Sequence, residues 1–194
     1  MQIAPGFDSA DWKALKLDDP DSPDWAKAVE ILETRISGRF IEPVDCLIAA
    51  DESKPPAQRR FGFAVLAIDC LLVETLEAFR LGLKDTGRES RKTFCHFLTE
   101  RPLFKVHFTK EQAELFYKHF RCGILHQAEV GSGSKVWSVG PLIQSDGATL
   151  TINRTKFHGR LKADFQSYLA ELRDPANAQL RKHFRTKMDF VCRH

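Results

Sequence analysis

No apolar run in this 194-residue chain is long enough to cross a bilayer. The longest, Phe61 to Leu83, is interrupted by Asp69, Glu74, Glu77 and Arg80, whereas a spanning helix needs about 20 predominantly apolar residues. Met1 to Gly6 carry no basic region followed by an apolar core, so no secretory leader is expected. Cysteine is sparse and odd in number, five residues with no CxxC spacing, which predicts reduced thiols in a cytoplasmic protein and no zinc site. Gly-rich phosphate loops of the GxxxxGKS/T and GxGxxG types are missing, which argues against a nucleoside triphosphatase or a dinucleotide enzyme. HExxH and GxSxG are missing too, and there is neither an internal repeat nor a low-complexity tract.

What is present is an ordinary apolar fraction, 43%, in a chain long enough to bury a core without staples. The net charge is only +3, but it is unevenly spread. Acids dominate up to Glu52, around Asp18-Asp19-Pro20-Asp21, and bases dominate from Arg154 onward. That asymmetry permits nucleic-acid binding through the C-terminal part, or describes a solvated helical face.

Residues 1–22 read as an irregular, acidic lead-in, tacked down by Trp12, Leu15 and Leu17, and 23–194 as one domain. Ser22-Pro23 starts a helix that Gly38 should end. Pro43 opens a short helix, and Asp51 to Pro56 form a polar loop. Phe61 to Gly82 is apolar nearly all round, as befits the central helix of a bundle. Its Asp69, Glu74 and Glu77 then need partners, either a site or an arginine such as Arg80. Lys92 to Leu98 is a further short helix, broken by Pro102. Thr109 with Gln112 is a capping-box start, from which Ala113, Phe116, Phe120 and Leu125 carry a helix onward. Gly131 to Ser134 is a flexible turn. Lys135–Val139 and Thr149–Asn153 read as a β-hairpin with a long loop, followed by basic C-terminal helices over 155–194. The expected fold is mainly α: a helical bundle with a small β-hairpin inserted before its last helices.

The chemistry concentrates in Phe116-Tyr117-Lys118-His119-Phe120-Arg121-Cys122-Gly123-Ile124-Leu125-His126-Gln127-Ala128-Glu129. Arg121 offers a permanently charged fork shaped for phosphate oxygens, and His126 can move a proton near neutral pH. On a straight helix, residues five apart are separated by roughly 7 Å of rise and roughly 140° of rotation. The pair therefore shares no face unless Gly123 distorts the helix, or two copies meet so that Arg121 of one approaches His126 of the other.

Arg121-Cys122-Gly123-Ile124-Leu125-His126 resembles the R-x(4–6)-H signature of the HEPN superfamily (higher eukaryotes and prokaryotes nucleotide-binding). FYKHFRCGILHQAE following FAVLAIDCLLVETLEAF is similar to a bacterial and plasmid-borne HEPN-like subfamily, over about Ile31 to Leu172. The resemblance implies a metal-independent endoribonuclease acting on RNA as a homodimer, with Arg121 and His126 catalytic and no cofactor. Many such proteins serve as toxins or defence effectors, which implies a cognate antitoxin. Active members often carry Asn, Asp or His after the arginine where this chain has Cys122, and some members have lost catalysis and act as binding modules.

The flanking groups Tyr117, His119, Cys122 and Glu129 are candidate substrate contacts. Tyr117 could stack on a base or pack at a surface edge. His119 is expected as an exposed helical histidine, with assistance to His126 as the alternative. Glu129 either orients the histidine or caps a turn. Cys122 as a nucleophile would need a lowered pKa and an oxyanion pocket, for which the sequence offers no sign.

Overall fold

A computed structural model describes residues 1–131 and 133–193; Ser132, within the turn expected at Gly131 to Ser134, and His194 lie outside the described residues. The chain is mainly helical, with a small three-stranded sheet ahead of its last two helices. Strands β1 (Gln2–Ala4) and β2 (Phe7–Asp8) pair antiparallel and lead into α1 (Ser9–Ala14). The lead-in is therefore not irregular. Ile3, Ala4 and Trp12 are buried, and Asp8 caps α1 in a reciprocal capping box with Asp11. This hairpin is too short for a period-2 pattern to register.

Helix α2 (Asp24–Ile36) does not stop at Gly38. It runs through a π-helical segment, Ser37–Ile41, into α3 (Glu42–Glu52). Glycine inside a helix costs only about 1 kcal/mol, and the buried Ile36 and Ile41 on either side outweigh it. Helix α4 (Gly62–Leu81) is the central helix, packed against α5 (Ser90–Glu100), α9 (Arg154–Arg173) and α10 (Ala178–Val191). It ends at Gly82, whose left-handed φ of 67° suits glycine. A Cβ there would also lie 3.1 Å from the His183 backbone.

Pro102 breaks α5 and opens α6 (Pro102–Lys105). Helix α7 (Lys110–Phe116) starts at the expected capping box, with Gln112 N donating to Thr109 Oγ1 at 3.2 Å and Thr109 N to Gln112 Oε1 at 3.0 Å. It continues through a second π-helical segment, Tyr117–Cys122, into α8 (Gly123–Gln127). Phe116 is the hub of an aromatic core, edge-on to Phe120 at 4.9 Å, Phe157 at 5.0 Å and Phe94 at 5.5 Å. Each fully buried phenylalanine removes apolar surface worth roughly 1.5–3 kcal/mol.

In the sheet, β3 (Lys135–Trp137) runs parallel to β5 (Thr149–Asn153), and β4 (Ile143–Asp146) pairs antiparallel on the other edge of β5. The two segments expected to form a hairpin are thus parallel neighbours. The true hairpin is β4–β5, turning at Gly147. Among the described residues no helix is long and apolar enough to cross a membrane.

The charge asymmetry is resolved inside the chain. Arg185 pairs with Asp18, Lys162 with Asp45, Arg173 with Glu33 and Arg154 with Asp51. Helix α4 distributes its polar residues in the same way. Asp69 bonds His158 at 2.8 Å, Glu77 bonds His96, and Arg80 leaves both carboxylates for Glu171 (3.0 Å) and Asp164 (3.7 Å) on α9.

Burial raises the Asp69 carboxyl from 3.8 to about 6; the His158 bond and charge oppose the rise and Asp45 adds to it. The folded chain then holds this proton where the unfolded chain has lost it. Stability from this group is full below pH 4 and declines as pH rises to about 6, by an amount on the order of 2–3 kcal/mol. Wild type minus Asp69→Asn unfolding free energy, measured in urea from pH 4 to 7, should fall across that window and level off above it; a difference that grows with pH contradicts the assignment.

Candidate functional site

The two π-helical segments meet at one cavity. Wide turns of this kind arise where a helix carries one residue more than the α-helical register and are frequent at functional sites. The segment Ser37–Ile41 supplies Arg39, and Tyr117–Cys122 supplies Arg121; Arg35 from α2 and Lys187 from α10 complete a ring of cations around a space of about 380 Å3. Glu74 of α4 is the one carboxylate among the lining residues. Lys187 donates to the Lys84 carbonyl at 2.7 Å and Arg35 to the Ile3 carbonyl. Burial lowers the pKa of both; Arg39 adds to the lowering at Arg35, while at Lys187 Asp85 opposes it and Arg35 adds a smaller push the other way. Like charges held together in this way favour an anion between them.

Arg121 donates from Nε to Glu74 Oε1 at 2.7 Å, and its guanidinium carbon lies 5.6 Å from the Tyr117 ring centroid. Its side chain is 19% exposed, so the fork remains open to the cavity. Burial opposes the charge on Arg121, but the Glu74 hydrogen bond and charge, with smaller help from Tyr117 and Cys122, outweigh it and raise its pKa.

His126 faces elsewhere. It sits in the last turn of α8, exposed, with no side-chain hydrogen bond or ion pair among the described residues. The groove it lines, with Lys118, His119 and Cys122, is separate from the Arg121 cavity. The wide turn does not bring the two groups together within one chain.

Gly123 governs how the chain leaves this helix. A Cβ on it would sit 2.5 Å from the Glu129 carbonyl oxygen, so only glycine admits the return of the chain over α8. Ala128, at φ 53°, makes the turn, and Gly131 N donates to the His119 carbonyl at 3.0 Å.

The flanking residues fall into place differently from expectation. His119 is buried, 3% exposed, not an exposed helical histidine. Its Nδ1 bonds Ser134 Oγ at 2.9 Å, and that hydroxyl accepts from Leu150 N at 3.1 Å. Burial lowers its pKa; it ties the wide turn to β5. Tyr117 is half-buried against Phe94, its hydroxyl 3.0 Å from Ser90 Oγ, and burial raises its pKa. Glu129 is exposed and neither bonds His126 nor caps the turn with its side chain. Cys122 is half-buried. Among the described residues no three His, Cys, Asp or Glu side chains gather as a metal-ligand set.

Sequence reading missed Arg35 and Arg39, and met Lys187 only as one of the bases that dominate from Arg154 onward. Only the one-turn spacing of Arg35 and Arg39 is a local signal; Lys187 arrives from the far end of the chain. No protein-family model matches this chain, and comparisons with characterised proteins and with solved structures give no match either.

Proposed function

We propose that this protein is a metal-independent endoribonuclease of HEPN type, in which two copies of the helical bundle bring Arg121 of one and His126 of the other to a single RNA phosphate. The observation that carries this reading is the division of labour in one chain. Arg121 is oriented by Glu74 at a basic cavity, while His126 stands unengaged on a different surface. A site completed by a second copy needs both. Two π-helical segments converging on that cavity also fit, since such segments accompany function.

The chemistry requires little else. RNA carries its own nucleophile. His126 removes the proton from a ribose 2′-hydroxyl, the 2′-oxygen attacks the adjacent phosphorus, and the P–O5′ bond breaks as the leaving 5′-oxygen takes a proton from solvent water; the imidazolium then returns its proton to solvent. Charge building on the phosphate is met by the Arg121 fork, reinforced by Arg35, Arg39 and Lys187. Such an activity suits a toxin or defence effector held in check by an antitoxin.

Purified protein incubated with single-stranded RNA is expected to leave 2′,3′-cyclic phosphate and 5′-hydroxyl ends, at the same rate with and without EDTA. Cleavage abolished by EDTA, or DNA cut as fast as RNA, overturns the reading. A second reading, a non-catalytic HEPN-type module that binds RNA, a nucleotide or a protein partner, is favoured by one contact: Glu74 already neutralises Arg121. It predicts retained binding with no cleavage at all.

A further inference from the structure

A second pocket, remote in composition from the Arg121 cavity, lies where α4 begins. The loop after α3 and strand β3 enclose about 490 Å3, a volume typical of small-ligand sites. Its walls carry three exposed apolar side chains, Phe63 at 41%, Trp137 at 44% and Val139 at 45%, beside Arg59, Arg60 and Arg154.

The first turn of α4 opens into this space without a cap. Phe61 occupies the N-cap position with no side-chain cap and the first turn contains no acidic residue; the Asp51 carboxylate takes the amides of Arg60 and Phe61, and the amides from Gly62 onward have no side-chain acceptor among the described residues. Gly62 brings β3 directly over that turn. A Cβ on Gly62 would lie 2.8 Å from Val136 Cγ1, and Val136 is the neighbour of Trp137.

An independent observation points the same way. The Arg154 side chain is 1% exposed; Nη2 donates to Asp51 at 2.8 Å, but Nη1, 3.9 Å from the Glu52 carboxylate, has no hydrogen-bond partner among the described residues. Asp51, the one carboxylate lining the pocket, is committed: it accepts from Arg60 N at 2.8 Å and Phe61 N at 3.2 Å as well as from Arg154. Arg59 is held in place by the Lys54 carbonyl (3.1 Å) and Ser138 Oγ (3.0 Å), while the Arg60 guanidinium is exposed and unpartnered among the described residues.

A flat aromatic wall beside an anion-seeking helix start, one anchored guanidinium (Arg59) and one free one (Arg60) fits a planar base joined to a phosphate. We propose that this pocket binds a nucleotide, its base stacked on Trp137 and its phosphate against the α4 amides, Arg59 and Arg60. The nucleotide is either free or one unit of a single strand of RNA. Neither Arg121 nor His126 lines this pocket, so the inference stands apart from the cleavage reading.

Trp137 supplies the readout, because Trp12 and Trp25 are buried at 3% and 6% exposure. Adenosine monophosphate should quench the tryptophan emission. Adenosine and inorganic phosphate should each bind at least about tenfold more weakly, since each offers half of the contacts. Arg60→Ala, at an exposed side chain, should weaken the mononucleotide by about tenfold, and Trp137→Ala should weaken it comparably by calorimetry. His126→Ala should bind as wild type does.

A 2′-O-methyl oligoadenylate, which has no free 2′-hydroxyl to support cleavage, separates the two sources. Tighter binding than the mononucleotide supports an RNA strand, and equal or weaker binding supports a free nucleotide. The proposal is overturned if neither probe binds, if adenosine binds as well as its monophosphate, or if both pocket variants leave affinity unchanged.

Discussion

Arg121→Ala and His126→Ala should each reduce RNA cleavage by at least about a hundredfold, and co-expression of the two variants should restore about a quarter of wild-type activity. The restoration follows from counting sites. If each site takes Arg121 from one protomer and His126 from its partner, a mixed dimer has one site lacking both groups and one site intact. Random pairing makes about half of the dimers mixed. A site assembled within one chain would gain nothing from mixing, so an inactive mixture together with active wild type assigns both residues to the same protomer. His126 has no side-chain partner to lose among the described residues, so its variant should unfold like wild type in urea. Arg121→Lys keeps the charge and the proximity to Glu74 but loses the fork; it should remain well below wild type in rate.

The largest expected loss of stability lies at Asp51. Its two oxygens join the end of α3 to the start of α4 through the Arg60 and Phe61 amides, and to the start of α9 through Arg154. Both members of the pair are 1% exposed. Removing one leaves the other charge buried without its partner, which typically costs about 3–5 kcal/mol. Asp51→Ala should therefore lower the urea midpoint with little change in slope. Replacing both members, as Asp51→Asn with Arg154→Met, should recover part of that loss because no charge is then stranded. A single-variant loss below about 1 kcal/mol would mean that water reaches the pair.

The sequence is informative where the physical cause is local. Phe61 to Gly82 declares itself by being apolar on every face, and Thr109 with Gln112 by a bond pattern that spans four residues. Both appear in the structure as α4 and the start of α7. The sheet is less legible for the opposite reason. Strand patterning marks Lys135 to Trp137 and Thr149 to Asn153 as extended, but period-2 alternation does not reveal a partner. The chain places Ile143 to Asp146 beside the second of them as the local hairpin.

Charge was hardest to read. Acids near one end and bases near the other suggest a basic surface, yet the fold brings Asp18, Glu33, Asp45 and Asp51 against Arg185, Arg173, Lys162 and Arg154. Of the cations left around a cavity, Arg35 and Arg39 had no signal beyond their one-turn spacing, and Lys187 only its place in the C-terminal basic excess. His119 was misjudged because its seat is made by Ser134 and β5, which no helical periodicity can foresee.

The wide turns at Ser37–Ile41 and Tyr117–Cys122 make these two helices sensitive to where length changes more than to composition. Each absorbs a surplus residue, so excising one amino acid from the turn would let the helix relax to ordinary winding with the later residues still on their present faces. Excising one from the ordinary winding that follows would instead swing everything beyond it by about 100°. In α8 (Gly123–Gln127) a residue lost between Gly123 and His126 would carry His126 off its surface, although Arg121 and His126 would both still be present. Reading frame along the helix axis, counted in single residues, thus decides where its chemistry points.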